Sequence, residues 1–336
     1  MTEGASKATA RRKSIGSLNV RWGQLFFGLI CLFFSVLLLR NSELAIGYLS
    51  DGLILCAKTL IPSLFPFLVL SELIVASGLI RPVGRLLSRP VQYLFGIRGE
   101  GAGAILLGFL CGFPLGTKTA VALYRQGELS GEELCHLLTF CNVPSAAFLI
   151  NAVGISLFHC RQLGWELYII TLLSALLIGG FGKHFRKDPS TNQSSPISHA
   201  PIPRKPALVA LTGAVSSSAL AMLSICAFVL FFSTVVGILT PILSPLLPTA
   251  ELSALCFGIF ELTGGVSHAA TCSPTTAPYL CAFLSGWSGL SVHFQVLSLC
   301  DGISVSFRPY FFAKLLHGGL NVLLLWAYFS IKAWVI

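Results

Sequence analysis

Apolar residues run along this chain in blocks of about 20, the length an α-helix needs to cross a hydrocarbon layer. Blocks at 24–40, 60–80, 136–158, 164–182, 219–240, 279–300 and 309–331 predict about seven full spans. Two further blocks, 101–124 and 251–272, are long enough but are interrupted at the middle. The first contains Gly108-Phe109-Leu110-Cys111-Gly112-Phe113-Pro114-Leu115-Gly116-Thr117-Lys118, the second Gly258-Ile259-Phe260-Glu261-Leu262-Thr263-Gly264-Gly265-Val266-Ser267-His268. Irregular backbone at membrane depth needs protein or a water-filled cavity to satisfy its polar groups. Both blocks are therefore predicted to be re-entrant helical hairpins. Residues 44–58, with Asp51 and Lys58 on an apolar face, suit an interfacial helix. Residues 81–98, with Arg81, Arg85, Arg89 and Arg98, suit a basic interfacial elbow.

The basic residues test this layout, because Lys and Arg concentrate in cytoplasmic loops. With the N-terminus in the cytoplasm and the hairpins not crossing, most basic residues, Lys314 among them, fall on the inner side. Only Arg40, Lys58, Arg161 and Lys332 fall outside, and Lys118 lies in the membrane. The first hairpin then enters from the cytoplasm and the second from outside, so the two halves are inverted-topology repeats. The resulting organisation is an all-α polytopic membrane protein. It has a basic cytoplasmic N-terminus (1–23), a first transmembrane helix (24–40), a first repeat (44–182), a basic cytoplasmic linker (183–206) and a second repeat (207–331).

Composition agrees. Hydrophobic residues make up 54% of the 336 and charged residues 10%, where soluble chains carry about 25% charged; the mean hydropathy is +0.82. The formal charge of +9 is scattered through short loops without a basic aromatic face, so nucleic acid is not the expected partner. Eleven cysteines include no Cys-x-x-Cys pair and lie mostly in apolar runs, where cysteine packs as a small hydrophobe. The apolar run at 24–39 is followed by Arg40-Asn41-Ser42-Glu43 rather than a small-residue cleavage site, so it reads as a retained helix and not a signal peptide. No nucleophile elbow, phosphate-binding loop or His-Glu-x-x-His occurs, and no catalytic residue is assigned. No His, Cys and carboxylate set has metal-ligand spacing on one face. Enzymatic activity, a metal and a bound cofactor are therefore not expected.

Each half has a second break after its hairpin: Phe140-Cys141-Asn142-Val143-Pro144-Ser145, and Phe283-Leu284-Ser285-Gly286-Trp287-Ser288-Gly289. Paired interruptions in corresponding places of two halves point to a transporter's binding site. The candidate backbone is at Gly112, Pro114 and Gly116, at Gly264 and Gly265, and at Gly286 and Gly289. Thr117, Asn142, Ser145, Ser288 and Gln295 supply neutral hydrogen bonds. Lys118 is the candidate for an anionic group. Glu261, the deepest acid, reads as a substrate ligand, a partner of Lys118 or the carrier of a coupling proton. His268 and His293 can titrate near neutral pH and join the candidates. H+ or Na+ is the expected coupling ion.

At these residues the chain resembles the YlbJ-type sporulation integral membrane proteins, which carry a nucleoside-recognition or Gate domain. The resemblance rests on Ile61-Pro62-Ser63-Leu64-Phe65-Pro66-Phe67, on the Gly108 to Gly116 segment, and on Leu138-Thr139-Phe140-Cys141-Asn142. It continues through Ser288-Gly289-Leu290-Ser291-Val292-His293-Phe294-Gln295-Val296, Tyr310 and Lys314-Leu315-Leu316-His317-Gly318. An Arg is usual in that family where Lys314 stands. Gate domains look similar to parts of concentrative nucleoside transporters and of the ferrous-iron transporter. The resemblance implies a multi-pass protein of a bacterial cell membrane, in an endospore former, acting in the spore envelope or in solute movement across it. The expectation is a secondary transporter of a small polar solute, of the nucleoside or small organic anion class. The alternatives are a non-transporting component of spore-envelope assembly, with envelope proteins or a second copy as partners, and a passive channel.

Overall fold

The computed structural model describes residues 24–78, 80–185 and 206–335. The N-terminal segment expected at 1–23 and nearly all of the linker expected at 183–206 lie outside them. The described residues are helical and contain no strand.

After a shorter apolar helix, α1 (Gln24–Arg40), comes α2 (Ser42–Leu55), which passes through a π-helical turn at Cys56–Leu60 into α3 (Ile61–Ala76). The helix widens just before Pro62, which has no N–H to offer the preceding turn. Residues 44–58 are thus not a separate interfacial helix. Ser42–Ile74 is one apolar helix of 33 residues, because Lys58 and Thr59 are polar but do not stop a helix. Next come α4 (Ile80–Phe95), α5 (Ala102–Cys111), α6 (Leu115–Arg125) and α7 (Gly131–Phe140). The start of α7 is a capping box, in which the Ser130 hydroxyl takes the Glu133 N–H and the Glu133 carboxylate takes the Ser130 N–H. A π-helix (Ala147–Leu157) and α8 (Arg161–Gly182) complete the first half. The second half contains α9 (Ala207–Leu243), α10 (Ala250–Phe260), α11 (Leu262–Ala269), α12 (Ala277–Trp287), α13 (Gly289–Leu299) and α14 (Arg308–Val335).

Among the described residues, five helices are long and apolar enough to cross a membrane, and six if α4 and α5, bent by 106°, count as one broken span. The count of seven from the sequence is therefore not reproduced. The block 136–158 divides at Pro144, which pushes the residue before it out of the helical region, into α7 and the π-helix. Large apolar side chains stand exposed on α1, α9 and α14, among them Phe27, Leu220, Leu223, Phe231, Leu323, Trp326 and Ile331. Apolar surface this extensive is covered by lipid or partner in a stable protein.

Two apolar clusters form the interior. One joins α3, the π-helix, α8, α9, α11 and α12 around Leu149, Val153, Val266 and Leu284. The other joins α4 to α8 with α13 and α14 around Ile97, Leu134, Phe140 and Tyr310. Helices α5 and α6 fold back on one another, and so do α10 and α11. Crosswise, α6 packs on α13 and α11 on the π-helix.

Candidate functional site

The turn from α5 to α6 is Gly112-Phe113-Pro114. Gly112 has φ +73°, and a Cβ there would stand 2.8 Å from the Cα of Ser145. Glycine is the residue that combines that φ with so close an approach. The Phe113 N–H donates to the Val143 carbonyl at 3.0 Å, so this tip is tied to the first break. Thr117, fully buried, donates to Asn142 Oδ1, and Asn142 Nδ2 donates to the Leu138 carbonyl at 3.2 Å. Pro114 caps α6, and Gly116 lies against Gly108 and the Cys141 carbonyl.

The second half builds a matching joint. The turn from α10 to α11 is Glu261 alone, in an extended conformation. Its buried carboxylate accepts the N–H groups of Thr263, at 2.8 Å, and Gly264. A helix N-terminus favours negative charge there. Gly265 abuts Gly258 across the two arms. Between α12 and α13, Ser288 (φ +76°) and Gly289 (φ +77°) are both left-handed, and Gly289 lies against the backbone of Glu261 and Leu262.

A side chain not among the expected site residues joins the two breaks. Lys314 on α14 is fully buried; its ammonium donates to the Asn142 carbonyl and to Ser288 Oγ at 3.2 Å. Lys314, expected in an inner segment, is buried among the helices and not on their surface. On the same face, His317 Nε2–H donates to the Thr171 carbonyl at 3.0 Å, and Asn321 Nδ2 to the Ala282 carbonyl at 3.0 Å. The Tyr310 hydroxyl meets His293 Nδ1 at 2.8 Å. Tyr310, Lys314, His317 and Asn321 recur at steps of four, three and four, one face of a helix. That polar stripe in an apolar span was the signal available in the sequence.

Between the tips lies a cavity in which the centre of a water-sized sphere is free over about 40 Å³. Of the expected residues, Ser145, Glu261 and Gln295 line it. So do Cys111 and Phe113 of the first tip, Leu262 and Thr263 of the second, Phe148, Ser291 and Val292, with apolar walls from α3 and α9. Ser291 Oγ and Gln295 Oε1 are buried without a hydrogen-bond partner among the described residues. The space suits roughly three waters and is too small as it stands for a nucleoside.

The other candidates lie apart from the cavity. Lys118 does not meet Glu261. It pairs with Glu72 at 2.7 Å and donates to Ser217 Oγ at 2.9 Å, with its side chain nearly half exposed. His268 is exposed and stacks on Phe257, the ring centroids 4.4 Å apart. Gly286 is a packing contact with Gly318 of α14. His293 faces Trp287, Tyr310 and Phe311 in an aromatic box on the side of α13 away from the lining residues. Among the described residues, no three His, Cys, Asp or Glu side chains gather to hold a metal.

The fold and its lipid-facing surface define an integral membrane protein built from interrupted helices. Residues 57–158 match the Gate family model, described as nucleoside recognition, which covers the first tip and the first break. Over most of its length, that segment included, the chain is 29% identical over 329 residues to the sporulation integral membrane protein YlbJ of Bacillus subtilis (strain 168), covering 88% of this chain and 81% of that relative. No solved structure matches.

Proposed function

We propose that this protein is a secondary carrier of a small polar solute, and that its two halves are inverted Gate-like repeats, 44–182 and 207–331. The observation that carries the reading is the small cavity between the tips of two folded-back helix pairs, where Ser291 and Gln295 are buried with polar atoms left unpaired. Buried polar groups are ordinarily satisfied, and exceptions facing a cavity are what a site for a transient ligand needs. The order of elements supports the repeat. A long helix, a folded-back pair, a broken helix and a second long helix occur in that order in each half, with α4 an additional helix before the pair in the first, and the halves pack crosswise. Helices interrupted near the midplane, with one repeat rocking against the other, form a recurrent basis for alternating access.

In the carrier, the tips act as two gates. Phe113 N–H on the Val143 carbonyl holds one, and Gly289 against Glu261 seats the other. Glu261, Gln295, Ser291 and Ser145 would receive the solute, with H+ or Na+ as the coupling ion. The name of the Bacillus subtilis relative supports a place in endospore formation, in the bacterial cell membrane or one surrounding the forespore.

A cysteine placed at Ser291 tests the reading in sealed vesicles of known orientation. Alternating access predicts that Ser291→Cys is modified by an impermeant thiol reagent added from either side. Modification from one side only, at every condition tried, would rule the carrier out.

A further inference from the structure

We infer that the cavity between the tips selects a solute that donates hydrogen bonds, neutral or cationic and with one apolar flank, and turns anions away. The inference rests on the carrier reading and adds the chemistry of its solute.

The lining carries one ionisable carboxylate, Glu261, and no Lys, Arg or His. Each Glu261 oxygen accepts one backbone N–H, which leaves further lone pairs for a donor. Gln295 Oε1 can only accept, and it has no donor. Gln295 and Ser291 are 5% and 1% exposed, so bulk water does not satisfy them. The two lysines of the neighbourhood are committed elsewhere: Lys118 to Glu72 and Ser217, and Lys314 to Asn142 and Ser288. Neither lines the cavity. A second negative charge would enter a poorly polarisable space beside a carboxylate, with no cation to offset it. Leu64, Phe67, Phe148, Ile225 and Val229 form the remaining wall, which an apolar flank covers without stranding a polar group. Small organic anions, one of the two classes expected from the sequence, do not fit this lining.

Cys111 lines the cavity and reports its field without the solute being known. The full-length protein in detergent is treated with either of two methanethiosulfonates, one bearing a trimethylammonium and one a sulfonate. The cysteine sulfur displaces methanesulfinate to form a mixed disulfide, and the thiol proton passes to solvent. Modification is read at Cys111 by peptide mass spectrometry, with the exposed Cys160 as internal reference. The cation-to-anion rate ratio at Cys111 is expected to exceed that at Cys160 by roughly tenfold, the scale of charge focusing in a cleft. It should fall to about that of Cys160 in Glu261→Gln and persist in Glu72→Gln, which removes the other nearby acid. A ratio at Cys111 equal to or below that at Cys160 overturns the selection and leaves the carrier standing, as does a preference lost in Glu72→Gln instead. Labelling of Cys160 with none at Cys111 by either reagent means that the cavity does not open, and overturns carrier and selection together. Where a variant fails to fold, the wild-type ratio alone still decides whether the cavity prefers the cation.

Discussion

The ammonium of Lys314 donates to the backbone carbonyl of Asn142, fastening α14 of the second half to the break of the first. The same nitrogen reaches Ser288 Oγ at 3.2 Å, so one side chain spans both interruptions. Non-helical backbone leaves a carbonyl without its usual partner, and in a buried setting that carbonyl needs a donor. Replacing Lys314 by Met keeps the length and removes the donor. The expected loss is about 1–3 kcal/mol, the cost of stranding buried hydrogen-bonding groups. A lower unfolding temperature of purified Lys314→Met in detergent is the check, with Lys314→Arg expected to lie between that variant and wild type.

Thr117 and Asn142 make the corresponding tie within the first half. Thr117→Val preserves shape and strands Asn142 Oδ1, at a cost of about 1–3 kcal/mol. Thr117→Ser retains the hydroxyl and should cost less. Thermal unfolding of the two variants side by side separates the hydrogen bond from the packing.

Glu261 caps α11 through the N–H groups of Thr263 and Gly264. Glu261→Ala should weaken that helix by about 0.5–2 kcal/mol. Hydrogen exchange of the peptide covering α11 is expected to speed up, with exchange in α8 unchanged. Uniform acceleration across the chain would show that Glu261 supports the whole fold and not α11 alone.

The folded-back pairs close on glycine. A Cβ on Gly265 would overlap Gly258, whereas one on Gly213 would meet nothing within 4 Å. Gly265→Ala is expected to destabilise by about 1–3 kcal/mol through overpacking. Gly213→Ala should be neutral or stabilising by up to about 1 kcal/mol, because alanine favours helix. The two melting temperatures compare these cases directly.

Lys118 and His268 lie off the cavity, so Lys118→Ala and His268→Ala should each leave solute exchange within about twofold of wild type. The Lys118–Glu72 pair is nearly half exposed on the lysine side, and such pairs contribute about 0–1 kcal/mol. A loss of exchange in Lys118→Ala, from protein shown to be folded, would return that lysine to the site.

The interruptions were legible in the sequence because glycine, proline and an ionisable residue in an apolar run leave few other readings. Gly112, Asn142, Glu261 and Gly289 all stand at the tips or breaks that the pattern indicated. Two things were not legible. Apolar length does not distinguish a span from two packed helices, so the break at Pro144, although legible, does not show that 136–158 falls into α7 and a π-helix and forms no full span. Charge does not reveal burial either. Lys314 lies near the start of an apolar block, where lysine commonly reaches the membrane surface, and only the fold shows Asn142 and Ser288 waiting for it. The same limit explains Lys118, whose partner Glu72 lies 46 residues away in the chain.

Counterflow in proteoliposomes tests the carrier most directly. Vesicles loaded with an unlabelled donor-bearing solute such as a nucleoside are given a trace of labelled solute outside, for wild type and for Gln295→Leu. The account predicts saturable entry of label that depends on the internal load in the wild type and is reduced at least tenfold in the variant, about 1.4 kcal/mol of lost binding. Flux that neither saturates nor depends on the internal load, or full exchange in Gln295→Leu, would contradict it.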